Sequence, residues 1–318
     1  MDNISKKQNL VILTGPTAVG KTELSIELAK RFNGEIISAD SIQVYKGFDI
    51  GSAKVTSAEM QGIKHHLIDV LEPTEAFNVA LFKDMAKKAV EEIYSRGKLP
   101  IVVGGTGFYI QALLYDIDFK ENEDDGYREK LQHIYNDEGA EPLYNMLKVR
   151  DPESYATMDL MNIKRVIRAL EYHHQTGEKI STHNEVERQK ISPYNFAYFV
   201  LNNDRDILYQ RIEQRIDNMI SSGLIDEVAS LMERYELTRD MVSMQGLGYK
   251  EIAAYLDGEI TLEEAVYILK RDTRHFAKRQ LTWFKREKDV CWIDKGIYKD
   301  TDDQLAVITG ILTDRGII

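Results

Sequence analysis

Residues 10–22, Leu-Val-Ile-Leu-Thr-Gly-Pro-Thr-Ala-Val-Gly-Lys-Thr, decide how the rest of the chain is interpreted. The stretch begins as an apolar, β-branched run and ends in the pattern Gly-x-x-x-x-Gly-Lys-Thr. An amphipathic segment follows at residues 23–31. This order predicts a strand, a phosphate-binding loop and a helix, because the motif needs both flanking elements to aim its backbone amides at an anion.

Each part of the loop has a predicted role at a di- or triphosphate. Two glycines allow a nest of N–H donors, the lysine adds a point charge, and the threonine hydroxyl is a candidate ligand for Mg²⁺. The predicted phosphate-binding residues are Gly15, Pro16, Thr17, Ala18, Val19, Gly20, Lys21 and Thr22. The loop alone does not say what reacts at the phosphate.

The composition is that of an ordinary globular protein. The 318 residues are 43% apolar and 29% charged, with a net charge of −11, which argues against nucleic-acid binding through bulk charge. A single cysteine, Cys291, excludes internal disulfides and Cys-based zinc modules. No apolar run approaches membrane-spanning length, and residues 1–9 lack the apolar core of a signal peptide. We therefore expect a cytoplasmic protein with no membrane partner.

Alternation of short apolar runs with helical periodicity predicts an α/β fold with a P-loop NTPase-like parallel sheet flanked by helices. Strands are expected at residues 9–14, 35–39, 99–103, 198–201 and 290–294. Helices are expected between them at residues 23–31 and 77–96, and after the fourth strand at residues 205–220, 224–235, 247–256 and 261–286.

The α/β alternation breaks between residues 117 and 196. An acidic linker at residues 116–125 leads to helical segments near residues 126–149 and 162–175, and residues 181–193 are polar and predicted to be loop-rich. We therefore expect a mostly helical insertion domain at residues 117–196, hung on a core of residues 1–116 and 197–318.

Three side chains outside the loop are candidates for chemistry, each with a purely structural explanation beside the functional one. Asp40 follows the second strand at the edge where parallel sheets hold ligands, so it is a general base, a water-mediated magnesium ligand or a cap for the next turn. Thr106 lies in the cluster Gly-Gly-Thr-Gly at residues 104–107, which is either a tight turn or a second ligand loop. Arg215, at the edge of an apolar helical stripe, is either a solvated stem or a phosphate clamp.

Basic residues also gather on two predicted helix faces. Arg271, Arg274 and Lys278 share one face of the helix at residues 261–286, and few acids interrupt that face in sequence. Lys164, Arg165 and Arg168 oppose an apolar stripe in the insertion. A solvated surface is the ordinary explanation, but two such faces beside one phosphate site favour a polyanionic substrate.

Longer stretches of the chain resemble the tRNA dimethylallyltransferases, also called tRNA isopentenyltransferases. The matching stretches are GPTAVGKT at 15–22, ISADSIQVYKGFDIGSAK at 37–54, HHLID at 65–69, VGGTGFY at 103–109, KRVIRALE at 164–171, GYKE at 248–251 and TRHFAKRQLTWF at 273–284. They run over most of the chain, and the second and last are far more specific than a phosphate loop. Ser52 stands where the family pattern leads us to expect threonine.

The resemblance implies transfer of a dimethylallyl group from dimethylallyl diphosphate to the exocyclic amine of the adenosine immediately 3′ of the tRNA anticodon. It implies Asp40 as general base, Thr106 and Arg215 at the diphosphate, and Mg²⁺ as cofactor. It also implies a base extruded from its stack and contacts with the anticodon stem-loop. The expected tRNA-binding residues are Asp40, Ser41, Ile42, Gln43, Lys164, Arg165, Arg168, Gly248, Tyr249, Lys250, Arg271, Arg274 and Lys278. We expect a monomer.

A competing interpretation is a phosphoryl-transfer kinase for a nucleoside or small metabolite, since the same loop and an acidic residue after the second strand would serve it. A prenyltransferase for free adenine nucleotides is a second competing enzyme, and a non-enzymatic RNA-binding module represents a third class of protein. The basic helices and the large helical insertion count against the kinase.

Overall fold

The computed structural model describes residues 7–119 and 125–318 and divides into two compact units. The first holds the described residues up to Leu114 together with Pro193–Ile318, and the second lies within Tyr115–Ser192. These junctions lie two and four residues before the predicted ones, and the second moves because the strand predicted at residues 198–201 begins at Tyr194. The middle of the predicted acidic linker, residues 120–124, and the start of the chain, residues 1–6, lie outside the described residues.

Within the described residues, a six-stranded parallel sheet forms the centre of the first unit, in the order β3-β2-β4-β1-β5-β6. The strands are β1 Gln8–Thr14, β2 Gly34–Ala39, β3 His65–His66, β4 Leu99–Gly104, β5 Tyr194–Asn202 and β6 Val290–Asp294. Thr14 lies opposite both Gly104 and Val200 in register. The carboxyl ends of the three central strands therefore meet at one edge, and the predicted α/β class is confirmed.

The helices of the described chain extend the predicted pattern. They are α1 Lys21–Arg31, α2 Ser57–Met60, α3 Val79–Ser95, α4 Gly107–Leu114, α5 Tyr127–Glu138, α6 Glu141–Arg150, α7 Pro152–Thr157, α8 Ile163–Thr176, α9 Ile180–Arg188, α10 Arg205–Ser221, α11 Leu224–Tyr235, α12 Tyr249–Leu256, α13 Leu262–Phe284 and α14 Thr301–Asp314. Helices α2, α4, α7, α9 and α14 add to the predicted set. None of the helices described is both long and apolar enough to cross a bilayer.

The core of the first unit lies on both faces of the sheet. Leu10, Val11, Ile12 and Leu13 of β1 are all buried to 1% exposure or less, as expected of a central parallel strand covered on both sides. Helix α13 packs against α10, α12 and α4. This packing brings the C-terminal helices to the sheet edge where the phosphate loop begins.

The second unit is a helical bundle of α5 to α9 around Leu131, Leu143, Leu147, Val166 and Leu170. The single helical segment predicted near residues 126–149 is two helices, broken at Gly139 and Ala140. The loop-rich character predicted for residues 181–193 is wrong for its first half, which belongs to α9. Asp151 explains the order there, because its buried carboxylate accepts hydrogen bonds from the backbone and hydroxyl of Ser181, at 3.0 and 2.7 Å.

Candidate active site

The phosphate loop joins β1 to α1 with its helical amides open to a ligand. Gly20, at φ +96°, occupies the N-cap position of α1, and no side chain caps the helix there. Ala18 also has a positive φ, of 63°. Alternation of left-handed and ordinary residues turns successive N–H groups inward, as in an anion nest. The structure thus has the strand, loop and helix that the sequence predicts.

Lys21 lies at the base of this loop, half-buried, with its amino group turned back onto the loop. Its Nζ donates to the carbonyl oxygens of Gly15 and Pro16, at 2.9 and 2.8 Å. Burial, reinforced by the charge of Arg215 and opposed by that of Asp40, lowers the pKa of Lys21 to about 7. A bound anion would reverse that shift, so the lysine is poised to respond to phosphate.

Asp40 lies just beyond β2, as predicted, and its two carboxylate oxygens differ in environment. Oδ1 accepts hydrogen bonds from the backbone N–H groups of Ile42 and Gln43, at 2.8 and 3.2 Å. Oδ2 accepts none from the residues that the structure describes. Asp40 therefore caps the turn with one oxygen and lines the adjacent cavity with a second that is available to a ligand.

Thr106 follows β4 and precedes α4. Its N–H donates to the Ala39 carbonyl oxygen at 3.4 Å, and its own carbonyl accepts from Tyr109 and Ile110. Thr106 lines the cavity, and within the described chain its hydroxyl makes no hydrogen bond. The glycine cluster is thus both a tight turn and part of the cavity wall.

Gln280, which the sequence analysis does not single out, connects the two loops. Its Oε1 accepts from the Thr17 N–H and its Nε2 donates to the Gly105 carbonyl, both at 2.9 Å. The side chain is only 6% exposed. A polar residue between Phe276 and Phe284 on an otherwise apolar helical face is the signal that the sequence offers for it.

The loops and C-terminal helices enclose a cavity of about 330 Å³, which is at the lower end of the range for small-molecule sites. It brings together five predicted residues besides Asp40 and Thr106: Thr17, Ser41, Ile42, Arg215 and Lys250. It also includes residues that the sequence does not predict as ligand contacts: Gly51, Ser52, Ala53, Gln245, Thr273, Arg279 and Gln280.

Among the described residues, Arg215 supplies the cavity with a guanidinium that no acid contacts directly, although the charge of Glu59 favours its protonated form. Within that part of the chain it makes no hydrogen bond or ion pair, and burial lowers its pKa. A buried cation without a partner is costly unless an anion is bound. Arg215 on α10 is therefore half-buried at the cavity rather than a fully solvated stem, and its role at a phosphate stays a prediction.

One wall of the same cavity is apolar. It is formed by α10 and α13 through Ile212, Ile216, Met219, Leu269 and Phe276. Cationic and apolar surfaces therefore face one enclosed space, together with the free oxygen of Asp40. Such a site suits a ligand with a charged phosphate end and a short hydrocarbon end.

The remaining predicted RNA-binding residues of the first unit fall into distinct environments. Gln43 donates to the carbonyls of Ser52 and Ala53 at 3.2 and 3.4 Å. Tyr249 is completely buried, so its side chain supports the neighbouring loop instead of reaching a macromolecule. Gly248 is the N-cap residue of α12, at φ +95°.

The basic face of α13 is less free of acids than its sequence suggests. Arg274 pairs with Glu213 of α10 at 2.7 Å, and Arg271 pairs with Asp272 at 2.8 Å. Lys278 is exposed and makes no ion pair with any described residue. The expectation that acids scarcely interrupt this face is therefore wrong for two of its three cations.

The basic face of α8 in the second unit shows the same division. Arg168 pairs with the largely buried Glu171 at 2.9 Å. Lys164 and Arg165 form no ion pair within the described chain. The charges of these two side chains are therefore available to a polyanionic partner.

Fold and site together define an α/β protein of the phosphate-loop class whose cavity suits an organic phosphate ester. The IPP transferase family model matches residues 43–287. A tRNA dimethylallyltransferase from Lachnoclostridium phytofermentans is 60% identical over 313 residues, or 98% of this chain and 99% of that protein. The chain therefore belongs to the IPP transferase family and is a prenyltransferase.

Solved structures agree with this assignment. A tRNA isopentenylpyrophosphate transferase from Bacillus halodurans is 45% identical, with a TM-score of 0.73 and 97% of each chain covered. A eukaryotic dimethylallyltransferase described as acting on tRNA is 29% identical, with a TM-score of 0.82, covering 97% of this chain and 80% of that one. The match to the family model begins at residue 43, after the phosphate loop and Asp40. The similarity to the relatives covers nearly the whole chain and therefore includes those residues.

Diphosphate binding should weaken as the pH rises above 7. Lys21, with a pKa of about 7 when free, must be protonated to attract the anion, and the complex holds that proton more tightly than the free protein does. Association therefore falls with pH until the pKa of the complex is reached. Calorimetry with inorganic pyrophosphate between pH 6 and 9 measures this. Lys21→Met removes the titrating amine but leaves the ionisation of the ligand unchanged, so an equal pH dependence in both proteins would contradict the assignment.

Replacing Gln280 should destabilise the first unit. Gln280→Leu keeps the volume but leaves the Thr17 N–H and the Gly105 carbonyl without partners, at a cost of about 1–3 kcal/mol. Urea unfolding measures the free-energy change. Lys278→Ala on an exposed turn of the same helix is the control and should stay within about 0.5 kcal/mol of the parent. Equal effects of the two substitutions would show that the bridge contributes nothing.

Proposed function

We propose that this protein transfers a dimethylallyl group from dimethylallyl diphosphate to the N6 amine of the adenosine immediately 3′ of the anticodon in tRNA and releases diphosphate. The observation that carries the proposal is that one cavity is lined by Thr17 of the phosphate loop, by Arg215, by the Asp40 carboxylate and by an apolar wall. The names of the relatives, a tRNA dimethylallyltransferase and a tRNA isopentenylpyrophosphate transferase, support the same reaction.

The first requirement of the reaction is that the site stabilise the leaving group. As the bond between C1 of the dimethylallyl group and the diphosphate oxygen breaks, its electron pair passes to that oxygen, and negative charge grows on diphosphate. In this proposal the amides of the phosphate loop, Lys21 and Arg215 stabilise that charge, and the Thr106 hydroxyl adds a donor. No phosphoryl group moves in this reaction.

The acceptor is the second task. The adenine N6 forms a bond to C1 and must lose a proton, because the nitrogen would otherwise carry a positive charge. A base assists the attack because the exocyclic amine is a poor nucleophile. Asp40 Oδ2 is the proton acceptor in this proposal, since its partner oxygen is held by the turn and fixes the carboxylate in place. The adenine must leave its stack to reach the enclosed cavity.

The apolar wall gives the five-carbon donor a place to lie. Ile212 and Ile216 of α10 line the cavity together with Leu269 and Phe276 of α13. Burial of the hydrocarbon end on these side chains would bring roughly 0.8 kcal/mol per CH₂. It would also hold C1 beside the loop that receives the diphosphate.

Mg²⁺ fits the donors at this site as an ion bound mainly through the diphosphate. No cluster of three His, Cys, Asp or Glu suited to a metal occurs among the described residues. The hard oxygens available are the Thr22 hydroxyl on α1 and the Asp40 carboxylate, and Mg²⁺ commonly uses one or two protein ligands with phosphate and water. When bound, it would neutralise charge on the leaving diphosphate.

The macromolecular partner in this proposal is the tRNA anticodon stem-loop. The free cations Lys164 and Arg165 in the second unit and Lys278 in the first would contact its phosphates. Ser41, Ile42 and Lys250 line the cavity and would contact the target nucleotide and its neighbours. The enzyme would act as a monomer in the cytoplasm.

Labelled dimethylallyl diphosphate incubated with unmodified tRNA should yield label in tRNA at the adenosine 3′ of the anticodon. Asp40→Asn should lower the maximal rate by about 10²- to 10⁴-fold, the usual share of general acid–base catalysis, with little change in the affinity for pyrophosphate measured without Mg²⁺. The turnover assay measures the maximal rate, and calorimetry measures the affinity for pyrophosphate. Label found only in free nucleotide, or phosphoryl transfer from ATP to a metabolite, would overturn the proposal.

Two triple variants should separate free from paired cations in tRNA binding. Neutralising Lys164, Arg165 and Lys278 to Gln should flatten the dependence of log K on log salt by about one unit of slope per lost phosphate contact. The matched set, Arg168, Arg271 and Arg274, removes the same charge but consists of cations already paired with acids, so its effect should be smaller. Filter binding over a salt series measures both, and equal slopes would argue against this division.

A further inference from the structure

The loop at residues 49–53 forms one side of the cavity through Gly51, Ser52 and Ala53. Gly51 and Ala53 have no functional side chain, and the Ser52 hydroxyl donates at 2.6 Å to the carbonyl oxygen of Phe48, which precedes the loop. Their backbone, however, is held from outside by side chains of three other parts of the chain, which distinguishes the loop from an ordinary surface turn.

Glu227, in the first turn of α11, binds three consecutive backbone amides of this loop. Its Oε2 accepts from the N–H groups of Asp49 and Ile50, at 3.2 and 2.7 Å, and its Oε1 accepts from that of Gly51, at 3.1 Å. A carboxylate that accepts several backbone N–H bonds makes charge-assisted bonds of about twice the ordinary strength. The positive end of α11 further favours its negative charge.

Tyr249 completes the set on the fourth amide. Its hydroxyl accepts from the Ser52 N–H at 3.1 Å and donates to Glu227 Oε1 at 2.8 Å. Burial, followed by the charge of Glu227, raises the pKa of Tyr249, which keeps the hydroxyl proton in place for that bond. The ring packs so closely on Gly51 that a Cβ there would lie 2.6 Å from it.

The opposite side of the loop is tied to the turn that carries Asp40. Gln43 Nε2 donates to the carbonyls of Ser52 and Ala53, and the Gln43 N–H donates to Asp40 Oδ1. One continuous chain of hydrogen bonds thus runs from Glu227 through the loop to the carboxylate that faces the cavity. The phosphate loop is not part of this chain of bonds.

We propose that Glu227 is a positioning residue that fixes the loop at residues 49–53 as the wall against which the acceptor adenosine is aligned with Asp40. This inference rests on the proposed prenyl transfer. The hydrogen bonds of Glu227 do not reach the phosphate loop. Glu227 should therefore affect the alignment of the acceptor adenosine and leave diphosphate binding unchanged.

Glu227→Gln tests the proposal with little change of shape. The amide retains one acceptor oxygen, but its NH₂ group would face backbone N–H donors, so at least one loop amide loses its partner. Asp226→Asn is the matched control: it removes the same charge from the neighbouring position of α11, and Asp226 makes no hydrogen bond within the described residues.

We expect hydrogen exchange of the amides of residues 49–52 to rise about tenfold in Glu227→Gln and to stay unchanged in Asp226→Asn, while the amides of α13 stay protected in both. We expect the single-turnover prenyl-transfer rate at saturating tRNA to fall by at least about tenfold, with unchanged affinity for inorganic pyrophosphate. Protected α13 amides show that the variant is folded.

Unchanged exchange at residues 49–52, or faster exchange with an unaltered transfer rate, would overturn this inference. A parallel loss of pyrophosphate affinity would also overturn it, because the effect would then be general damage to the site. A wild-type protein that transfers no prenyl group to tRNA would instead overturn the proposed function, and the exchange data would still decide whether Glu227 anchors the loop.

Discussion

The amide of Gln280 is the interaction on which the cavity depends. The loops that follow β1 and β4 are neighbours because their strands pair in register and the Thr14 hydroxyl donates to the Gly104 carbonyl oxygen at 2.6 Å, but these contacts end where the strands end. Gln280 fixes one loop against the other by satisfying Thr17 N–H and Gly105 carbonyl at once. Because Gln280 lies on α13, the same two bonds hold that helix against the loops as a wall of the cavity. Residues 263 positions apart in the chain thus belong to one site.

Two positively charged side chains also lie close together beside the cavity. The chain carries a net charge of −11, yet the enclosed edge holds Lys21 and Arg215 close enough for the arginine to disfavour the charge of the lysine, with Asp40 as the nearby acid. Two desolvated like charges are unfavourable in the free protein. A diphosphate would relieve that cost, whereas an uncharged ligand of the same size would not, so the site discriminates by charge before any specific contact forms.

The sequence predicts the central sheet and the phosphate loop well because these depend on local patterns: an apolar run, a glycine spacing and a helical period. It also brings Asp40 and Thr106 to the correct edge, since carboxyl ends of parallel strands coincide. Gln280 and Glu227 escape prediction because their partners are backbone groups distant in the chain, which no spacing encodes. The pairing of Arg274 with Glu213 and the order of α9 around Asp151 are lost for the same reason.

A phosphate loop by itself favours a nucleoside triphosphate, and what lies opposite it in the cavity decides the chemistry. Phosphoryl transfer requires a nucleophile in line with a phosphorus atom. Here the space in front of the loop is bounded by the hydrocarbon side chains of α10 and α13 and by a carboxylate with one oxygen held and one free. In the proposed reaction, a donor that is apolar beyond its phosphates would fill that space, and its reactive carbon would lie between the leaving diphosphate and the Asp40 carboxylate. A phosphate loop of the kind that kinases use would thereby bind the leaving diphosphate of a prenyl-transfer reaction.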